Sequence, residues 1–171
     1  MSRPLTGTEV AEKIGRGFPG AVVEANEQWV TVAAEQLVAV ATHLRDDPEL
    51  DFRYLIGMCG VDRFDHFETV YQLQSLSRNH IATLKTRALD HQDPQVPSLT
   101  PVWVGAQLQE REVYDLMGIR FEGHPDLRRV FLWDGFPGYP LRKDWLGMPG
   151  GRHAGLGRFP GEAGEPLEGR G

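Results

Sequence analysis

Three segments in the middle of the chain have the apolar patterns of β-strands and follow one another with only short turns between them. Residues 54–60 (YLIGMCG) form a nearly continuous apolar run, which is typical of a strand buried on both faces. Residues 68–76 and 81–89 alternate apolar and polar side chains, the first less regularly, which allows for a β-bulge. Because connections this short join antiparallel neighbours, the pattern predicts a mainly antiparallel sheet built on these strands.

The segments before these strands predict two helices and two further strands. Thr6 and Glu9 have the spacing of a capping box at the start of a short helix that ends near Gly15–Gly17. The elements predicted after it are strands at 21–25 and 29–32 and a helix at 33–44. With one more helix before Gly118, the order is α-β-β-α-β-β-β-α. This order predicts a two-layer α+β domain with its helices on one face of the sheet.

The last predicted helix has a possible start at either of two residues and a single well-defined end. Ser98 or Thr100 is the predicted N-cap, because a side-chain hydroxyl can accept the first free N–H groups of a helix. Gly118 is the predicted stop, because glycine takes the left-handed conformation that ends helices without a Cβ penalty. Arg111 and Asp115 are four residues apart, so we expect them to pair on the helix surface.

Changes in composition divide the chain into three parts. Residues 1–118 form the predicted α+β core domain, residues 119–145 a loop region that contacts partners, and residues 146–171 a tail with nine Gly and three Pro. A tail of this composition buries too little apolar surface to offset an ordering cost of about 1–2 kcal/mol per residue. The alternatives are a disordered tail, or a strap that lies across partners through Leu156, Phe159 and Leu167.

Charge and hydropathy exclude several classes of protein. The net charge of −6 at pH 7 speaks against nucleic acid as the main partner. No apolar run approaches the roughly 18–20 residues that cross a bilayer as a helix. The N-terminus lacks the apolar region of a secretory signal peptide. We therefore expect any contact with a membrane to be made through a partner.

The sequence also gives no sign of a cofactor site. Cys59 is the only cysteine, so the chain can form no intrachain disulfide and cannot supply the thiolates of an iron–sulfur cluster. Its apolar neighbours predict an inert, buried thiol. No His residues have metal-ligand spacing, and there is no phosphate-binding glycine motif. We expect a chain without bound flavin, cluster or metal and without catalytic residues.

The segment 110–145 is rich in charge of nearly equal signs, with seven acidic and six basic residues among 36. Such a balance favours a surface that fits another protein over one that binds a polyanion. We expect Asp115, Arg128 and Arg129 to meet partner charges in a desolvated interface. Two alternatives are an acid/base group and a phosphate or lipid-headgroup site, formed by Glu110, Glu112 and Asp115 or by Arg128, Arg129, Arg142 and Lys143.

The same segment carries the motif of one protein family. The motif is E-R-E, an Asp, a Gly at the end of the helix, an apolar and an aromatic residue, and then G-H-P-x-L-R-R. In this chain its residues are Glu110, Arg111, Glu112, Asp115, Gly118, Ile119, Phe121, Gly123, His124, Pro125, Leu127, Arg128 and Arg129. A second element, P-L-R-K-D-aromatic, lies at 140–145. In both elements the chain closely resembles the family of the 30 kDa or C subunit of respiratory complex I (NADH-quinone oxidoreductase).

This resemblance implies a fold, a role and a set of partners. It implies an α+β domain that acts as a non-catalytic subunit in the peripheral arm of a proton-pumping enzyme and braces the quinone-module subunits. The implied partners are the 49 kDa or D subunit, with the cluster-bearing B and I subunits nearby, and the implied location is peripheral, on the cytoplasmic side of the cell membrane. FMN, iron–sulfur clusters and quinone would belong to the complex and not to this chain.

The residues that the resemblance and the charge pattern predict to contact partners are Glu110, Arg111, Glu112, Asp115, Gly118, Gly123, His124, Pro125, Arg128, Arg129, Arg142, Lys143 and Asp144. His124 is predicted to be a structural hydrogen-bonding residue of the Gly-His-Pro turn. Two alternative functions have the same sequence features. One is the equivalent subunit of a ferredoxin- or F420-dependent dehydrogenase or of a membrane-bound hydrogenase. The other is a free-standing acidic interaction module.

Overall fold

The computed structural model describes residues 3–145. The predictions for the tail at 146–171 lie outside the described residues. The chain folds as a two-layer α+β domain in which helices cover one face of a mainly antiparallel, mixed sheet. The fold class predicted from the sequence is confirmed. Among residues 3–145, no helix is long and apolar enough to cross a bilayer.

The main sheet has six strands. They are β1 (Arg3–Pro4), β2 (Val22–Ala25), β3 (Val30–Val32), β4 (Tyr54–Asp62), β5 (Phe67–Ser75) and β6 (His80–Ala88). The hydrogen-bonded order is β2-β3-β6-β5-β4, with β1 also pairing to β6. The pairs β2–β3, β4–β5 and β5–β6 are antiparallel, whereas β1 and β3 lie parallel to β6.

The first two helices form as their sequences predict. In α1 (Gly7–Gly17), the Thr6 hydroxyl accepts the N–H of Glu9, and the Glu9 carboxylate accepts the N–H of Thr6. This is the complete capping box. A 3-10 turn (Ala34–Gln36) then leads into α2 (Leu37–Asp46).

The third helix starts later than predicted. α3 spans Ala106–Met117, its N-cap is Gly105, and neither Ser98 nor Thr100 caps it. The segment before it forms turns, because the side chain of Trp103 is buried and donates its indole N–H to the carbonyl of Phe52. Tertiary packing thus overrides a local capping signal.

A second, two-stranded sheet is not predicted by the sequence pattern. β7 (Gln95–Pro97) pairs in parallel with β8 (Arg120–Glu122). Each strand is only three residues long, too short for a recognisable alternation. The pair fixes the chain on both sides of α3.

The core lies between the helices and one face of the sheet. Alternate residues of β5, such as Tyr71 and Leu73, pack against α1 and α2, and Phe67 packs with Val113 and Met117 of α3. Leu84 of β6 is paired with Tyr71, so its side chain lies on the same face of the sheet. The opposite face of the sheet carries no helix among the described residues.

Two predictions about β4 are wrong. The strand lies at the edge of the sheet, so it is largely exposed or half-buried instead of buried on both faces. Cys59 is consequently exposed, because its register with Val70 turns it to the face that no described helix covers. The bulge lies between Leu55 and Gly57 of β4, whereas β5 pairs regularly with β6.

Candidate functional site

The candidate site begins where α3 ends. Gly118 adopts the left-handed conformation with φ 74°, as predicted for the helix stop. A Cβ on this residue would lie 2.6 Å from the ring of Tyr139 and 2.7 Å from the guanidinium of Arg142. Glycine is therefore required both by the backbone turn and by the close packing of the later loop.

The carboxylate of Asp115 organises the loop that follows. One oxygen, Oδ2, accepts the backbone N–H groups of Val130, Phe131 and Leu132 at 2.9, 2.7 and 3.0 Å. The other oxygen accepts the Arg129 guanidinium at 2.9 Å. Burial by itself raises the pKa of Asp115, but the three N–H groups and Arg129 outweigh it, so the pKa lies below its usual value. Asp115 remains ionised although it is 0% exposed.

Arg129 holds the same loop from its other side. Besides Asp115, its guanidinium donates to the carbonyls of Phe136 and Gly138 at 3.3 and 3.2 Å. It also lies over the rings of Phe136 and Tyr139. The expectation that Asp115 and Arg129 meet the charges of a partner is therefore corrected: their counter-charges lie within the chain.

Glu110 is the second buried carboxylate of α3, and it is also 0% exposed. It accepts the hydroxyl of Ser98 and the backbone N–H of Leu99, both at 2.7 Å. Burial raises the pKa of Glu110, and these two hydrogen bonds offset the rise only in part. The predicted charged helix surface is thus wrong for Glu110 as well as for Asp115, because the carboxylates tie α3 to loops distant in sequence.

The predicted pair between Arg111 and Asp115 does not form. Arg111 instead donates to the carbonyls of Arg128 and Arg129 at 3.1 and 3.3 Å. Arg142 behaves similarly: it donates to the carbonyl of Met117 at 2.7 Å. Both side chains therefore bind backbone of this chain in the structure.

His124 makes two hydrogen bonds in the Gly-His-Pro turn. Its Nδ1 accepts the N–H of Asp126 and its Nε2 lies 2.9 Å from the carbonyl of Gln107. With Nδ1 accepting, Nε2 is the nitrogen that donates to the Gln107 carbonyl. Both bonds are structural ones. Gly123 has φ 82° and begins the turn.

The remaining predicted residues lie on the surface. Arg128 forms an ion pair with the exposed Asp126, at 3.0 Å. Lys143 binds Asp62 through its backbone N–H at 2.9 Å, and its side chain lies over the ring of Phe64. The exposed members of the predicted set are Glu112, Gly123, Pro125, Arg128, Lys143 and Asp144.

The residues predicted to contact partners do not include the exposed apolar side chains of the loop that Asp115 and Arg129 hold. Val130, Phe131 and Trp133 are 43%, 63% and 44% exposed. A signal for them exists in the sequence: Val-Phe-Leu-Trp is an apolar run directly after Arg128-Arg129, in a loop where polar residues are expected. Within residues 3–145, no three His, Cys, Asp or Glu side chains converge to hold a metal ion.

Comparisons with known proteins agree with this architecture. The family model of the respiratory-chain NADH dehydrogenase 30 kDa subunit matches residues 30–149. The second C subunit of NADH-quinone oxidoreductase from Rhizobium meliloti (strain 1021) is 46% identical over 117 residues, 67% of this chain and 63% of that protein. The C subunit of NADH-quinone oxidoreductase from Roseiflexus sp. (strain RS-1) is 42% identical over 147 residues, 82% of this chain and 84% of that protein.

A solved structure is similar to the fold as well. A chain of the membrane-bound sulfane sulfur reductase, an archaeal respiratory membrane complex, superposes with a TM-score of 0.64 at 25% identity. The match covers 81% of this chain and 84% of that one. The segment that matches the family model contains α3 and the loop that Asp115 and Arg129 hold, up to Trp145. From the family model and these relatives, the chain belongs to the 30 kDa subunit family of respiratory-chain NADH dehydrogenases, whose members include the C subunits of NADH-quinone oxidoreductases.

Proposed function

We propose that this chain is a non-catalytic structural and assembly subunit of the peripheral arm of a proton-pumping NADH:quinone oxidoreductase. One observation carries the proposal beyond family membership. The carboxylate of Asp115 and the guanidinium groups of Arg111 and Arg129 are engaged with the chain's own backbone. Side chains saturated in this way hold a surface in place and have no free group for catalysis.

The partners proposed for this surface are the 49 kDa or D subunit, with the cluster-bearing B and I subunits nearby. The contact would use the exposed charged residues of the motif segment, Glu112, Arg128, Lys143 and Asp144. The mixture of signs suits a protein partner, because each charge can meet an opposite one. The chain would then lie peripherally on the cytoplasmic side of the membrane, attached through the complex.

No cofactor is assigned to this chain under the proposal. FMN, the iron–sulfur clusters and quinone would be held by other subunits of the complex. The single cysteine cannot supply the several thiolates that a cluster needs. We expect the purified chain to be colourless and free of iron and flavin. Stoichiometric iron or flavin that survives dialysis would contradict this part of the proposal.

The test is to purify a tagged full-length chain from membranes of its native host and identify the subunits that accompany it. We expect the D, B and I subunits in stoichiometric amounts, together with NADH:quinone oxidoreductase activity. The charge contact predicts that Arg128→Ala lowers their recovery, whereas Arg78→Ala, in the turn between β5 and β6, leaves it unchanged. A tagged chain that elutes as a monomer without companions would instead indicate a free-standing interaction module.

A second candidate function is favoured by the structural likeness to the sulfane sulfur reductase chain. The same fold could serve as the equivalent subunit of another membrane complex, such as a ferredoxin- or F420-dependent dehydrogenase or a membrane-bound hydrogenase. The accompanying subunits distinguish the two. A flavoprotein that oxidises NADH supports the first proposal, and its absence alongside a hydrogenase or ferredoxin-linked subunit supports the second.

A further inference from the structure

Three exposed apolar side chains lie within four consecutive residues of the loop after α3. We name Val130, Phe131 and Trp133 the apolar tip; they are 43%, 63% and 44% exposed. Exposed apolar side chains scattered singly are common, but aromatic and branched residues gathered on one short loop are not. Such a group is costly to leave in water, so its presence on the surface calls for an explanation.

The backbone of the apolar tip is fixed before any partner binds. The N–H groups of Val130 and Phe131 point inward to the Asp115 carboxylate. Trp133 packs edge-on against the buried Phe136, with ring centroids 4.8 Å apart. A loop constrained in this way loses little conformational entropy when its side chains become buried at an interface.

The charges near the apolar tip are mixed and slightly acidic. Between Pro125 and Trp145, two cations and three carboxylates are exposed, namely Arg128, Lys143, Asp126, Asp134 and Asp144. A loop that inserts into an anionic membrane surface is expected to carry an excess of Lys and Arg. An apolar centre with a rim of both signs is instead the usual anatomy of a protein–protein interface.

We propose that the apolar tip is the energetic centre of the partner contact and that it seats in an apolar concavity on a protein subunit of the complex. This inference rests on the proposed assembly function and refines it. Asp115 and Arg129 hold the backbone of the loop in place, and the side chains of the apolar tip provide the binding energy. Aromatic residues on a rigid loop are the usual source of that energy.

The variant that tests this inference is Phe131→Ser in the tagged full-length chain, expressed in the native host in place of the wild type. The matched control is Leu76→Ser. Leu76 is 60% exposed and follows β5 at Ser75, whereas the motif segment contacts the other end of that strand through Arg142 over Phe67. Val130→Ser is a second variant, should Phe131→Ser melt below the wild type.

We expect Phe131→Ser to melt as the wild type does and to recover companion subunits at least about tenfold less well. Leu76→Ser should recover them normally. Normal recovery with Phe131→Ser and Val130→Ser would overturn the inference while leaving the assembly function intact. Failure of the wild type itself to recover subunits would overturn both. Binding of the isolated chain to anionic phospholipid vesicles that Phe131→Ser abolishes would identify a membrane contact and also overturn the inference.

Discussion

Asp115 and Glu110 lie on the same helix little more than one turn apart, and both carboxylates are 0% exposed, but their surroundings differ. Asp115 receives three backbone N–H groups and a guanidinium. Glu110 receives one backbone N–H group and one hydroxyl. Burial raises the pKa at both sites, but only Asp115 has enough donors to reverse the rise, so the pKa falls at Asp115 and rises at Glu110.

The difference shows what keeps a charge inside a protein. An ionised carboxylate away from water is stable only when donors replace its hydration shell, and Asp115 has that replacement. Glu110 has fewer donors and no guanidinium bonded to it, so its neutral form is favoured relative to a solvated glutamate. The two carboxylates of α3 therefore hold their loops by different means. Asp115 is an ionised carboxylate that binds 129–132 through three N–H groups and a guanidinium, whereas Glu110 binds Ser98 and Leu99 through two donors and has a raised pKa.

The consequence for function lies in what each loop presents. Asp115 fixes the apolar tip, which is exposed and available to a partner. Glu110 fixes Leu99, which is 0% exposed and belongs to the core. One carboxylate therefore stabilises the proposed binding surface, whereas the other stabilises the interior of the domain.

The largest effect is expected from Asp115→Asn. The amide cannot carry the charge that balances Arg129, so a half-buried guanidinium loses its buried counter-ion at about 3–5 kcal/mol. The urea unfolding midpoint of the purified chain should fall accordingly. Asp126→Asn is the control, because Asp126 is exposed and its carboxylate pairs with the exposed Arg128 at 3.0 Å and with Arg111 only at 3.9 Å. If Asp115→Asn has the same unfolding midpoint as the control, the charge of Asp115 does not stabilise the fold and the contrast with Glu110 is wrong.

An intermediate effect is expected from Arg129→Lys. The charge is kept, but an ammonium group cannot bind the Asp115 carboxylate and the carbonyls of Phe136 and Gly138 together. Loss of hydrogen bonds made by a charged group should cost about 1.5–3 kcal/mol. Urea unfolding of Arg128→Lys provides the control at an exposed neighbour. If both lysine variants have the same urea unfolding midpoint, the several hydrogen bonds of the Arg129 guanidinium do not stabilise the fold.

The smallest effect is expected from Glu110→Gln, under about 1 kcal/mol, because the amide keeps the shape of the side chain and an oxygen that can accept the N–H of Leu99. The pH dependence is more informative. A raised folded pKa contributes stability that is present below the ordinary Glu pKa and is lost as pH rises through the folded value. Glu110→Gln should remove that loss, whereas the exposed Glu112→Gln should retain it. Parallel stability curves for the two variants would show that Glu110 titrates normally.

The parts of the fold that the sequence predicts are those with local signals. The Thr6–Glu9 capping box and the Gly118 stop each depend on a few neighbouring residues, and both form as predicted. The strands at 68–76 and 81–89 are recognisable because their side chains alternate between a core face and a polar face. In each case the cause lies within one element of structure.

The errors arise where the cause lies elsewhere in the chain. The apolar neighbours of Cys59 predict burial, but its exposure depends on β4 being the edge strand. The position of Arg111 one turn away predicts a surface pair for Asp115. Its actual partners are 14 or more residues further along the chain. The motif therefore locates the candidate site, but it does not predict which residues form the buried scaffold and which form the exposed apolar tip.

The most direct test is a pH titration of the side-chain carboxyl carbons of Asp115 and Glu110 by 13C NMR in the full-length chain. Asp115→Asn and Glu110→Gln would assign the two signals. We predict that Asp115 titrates below the ordinary range for aspartate and Glu110 above the ordinary range for glutamate. Two ordinary titrations, or a titration of Asp115 above that of Glu110, would contradict the conclusion that hydrogen-bond donors outweigh burial at Asp115 and that burial outweighs them at Glu110.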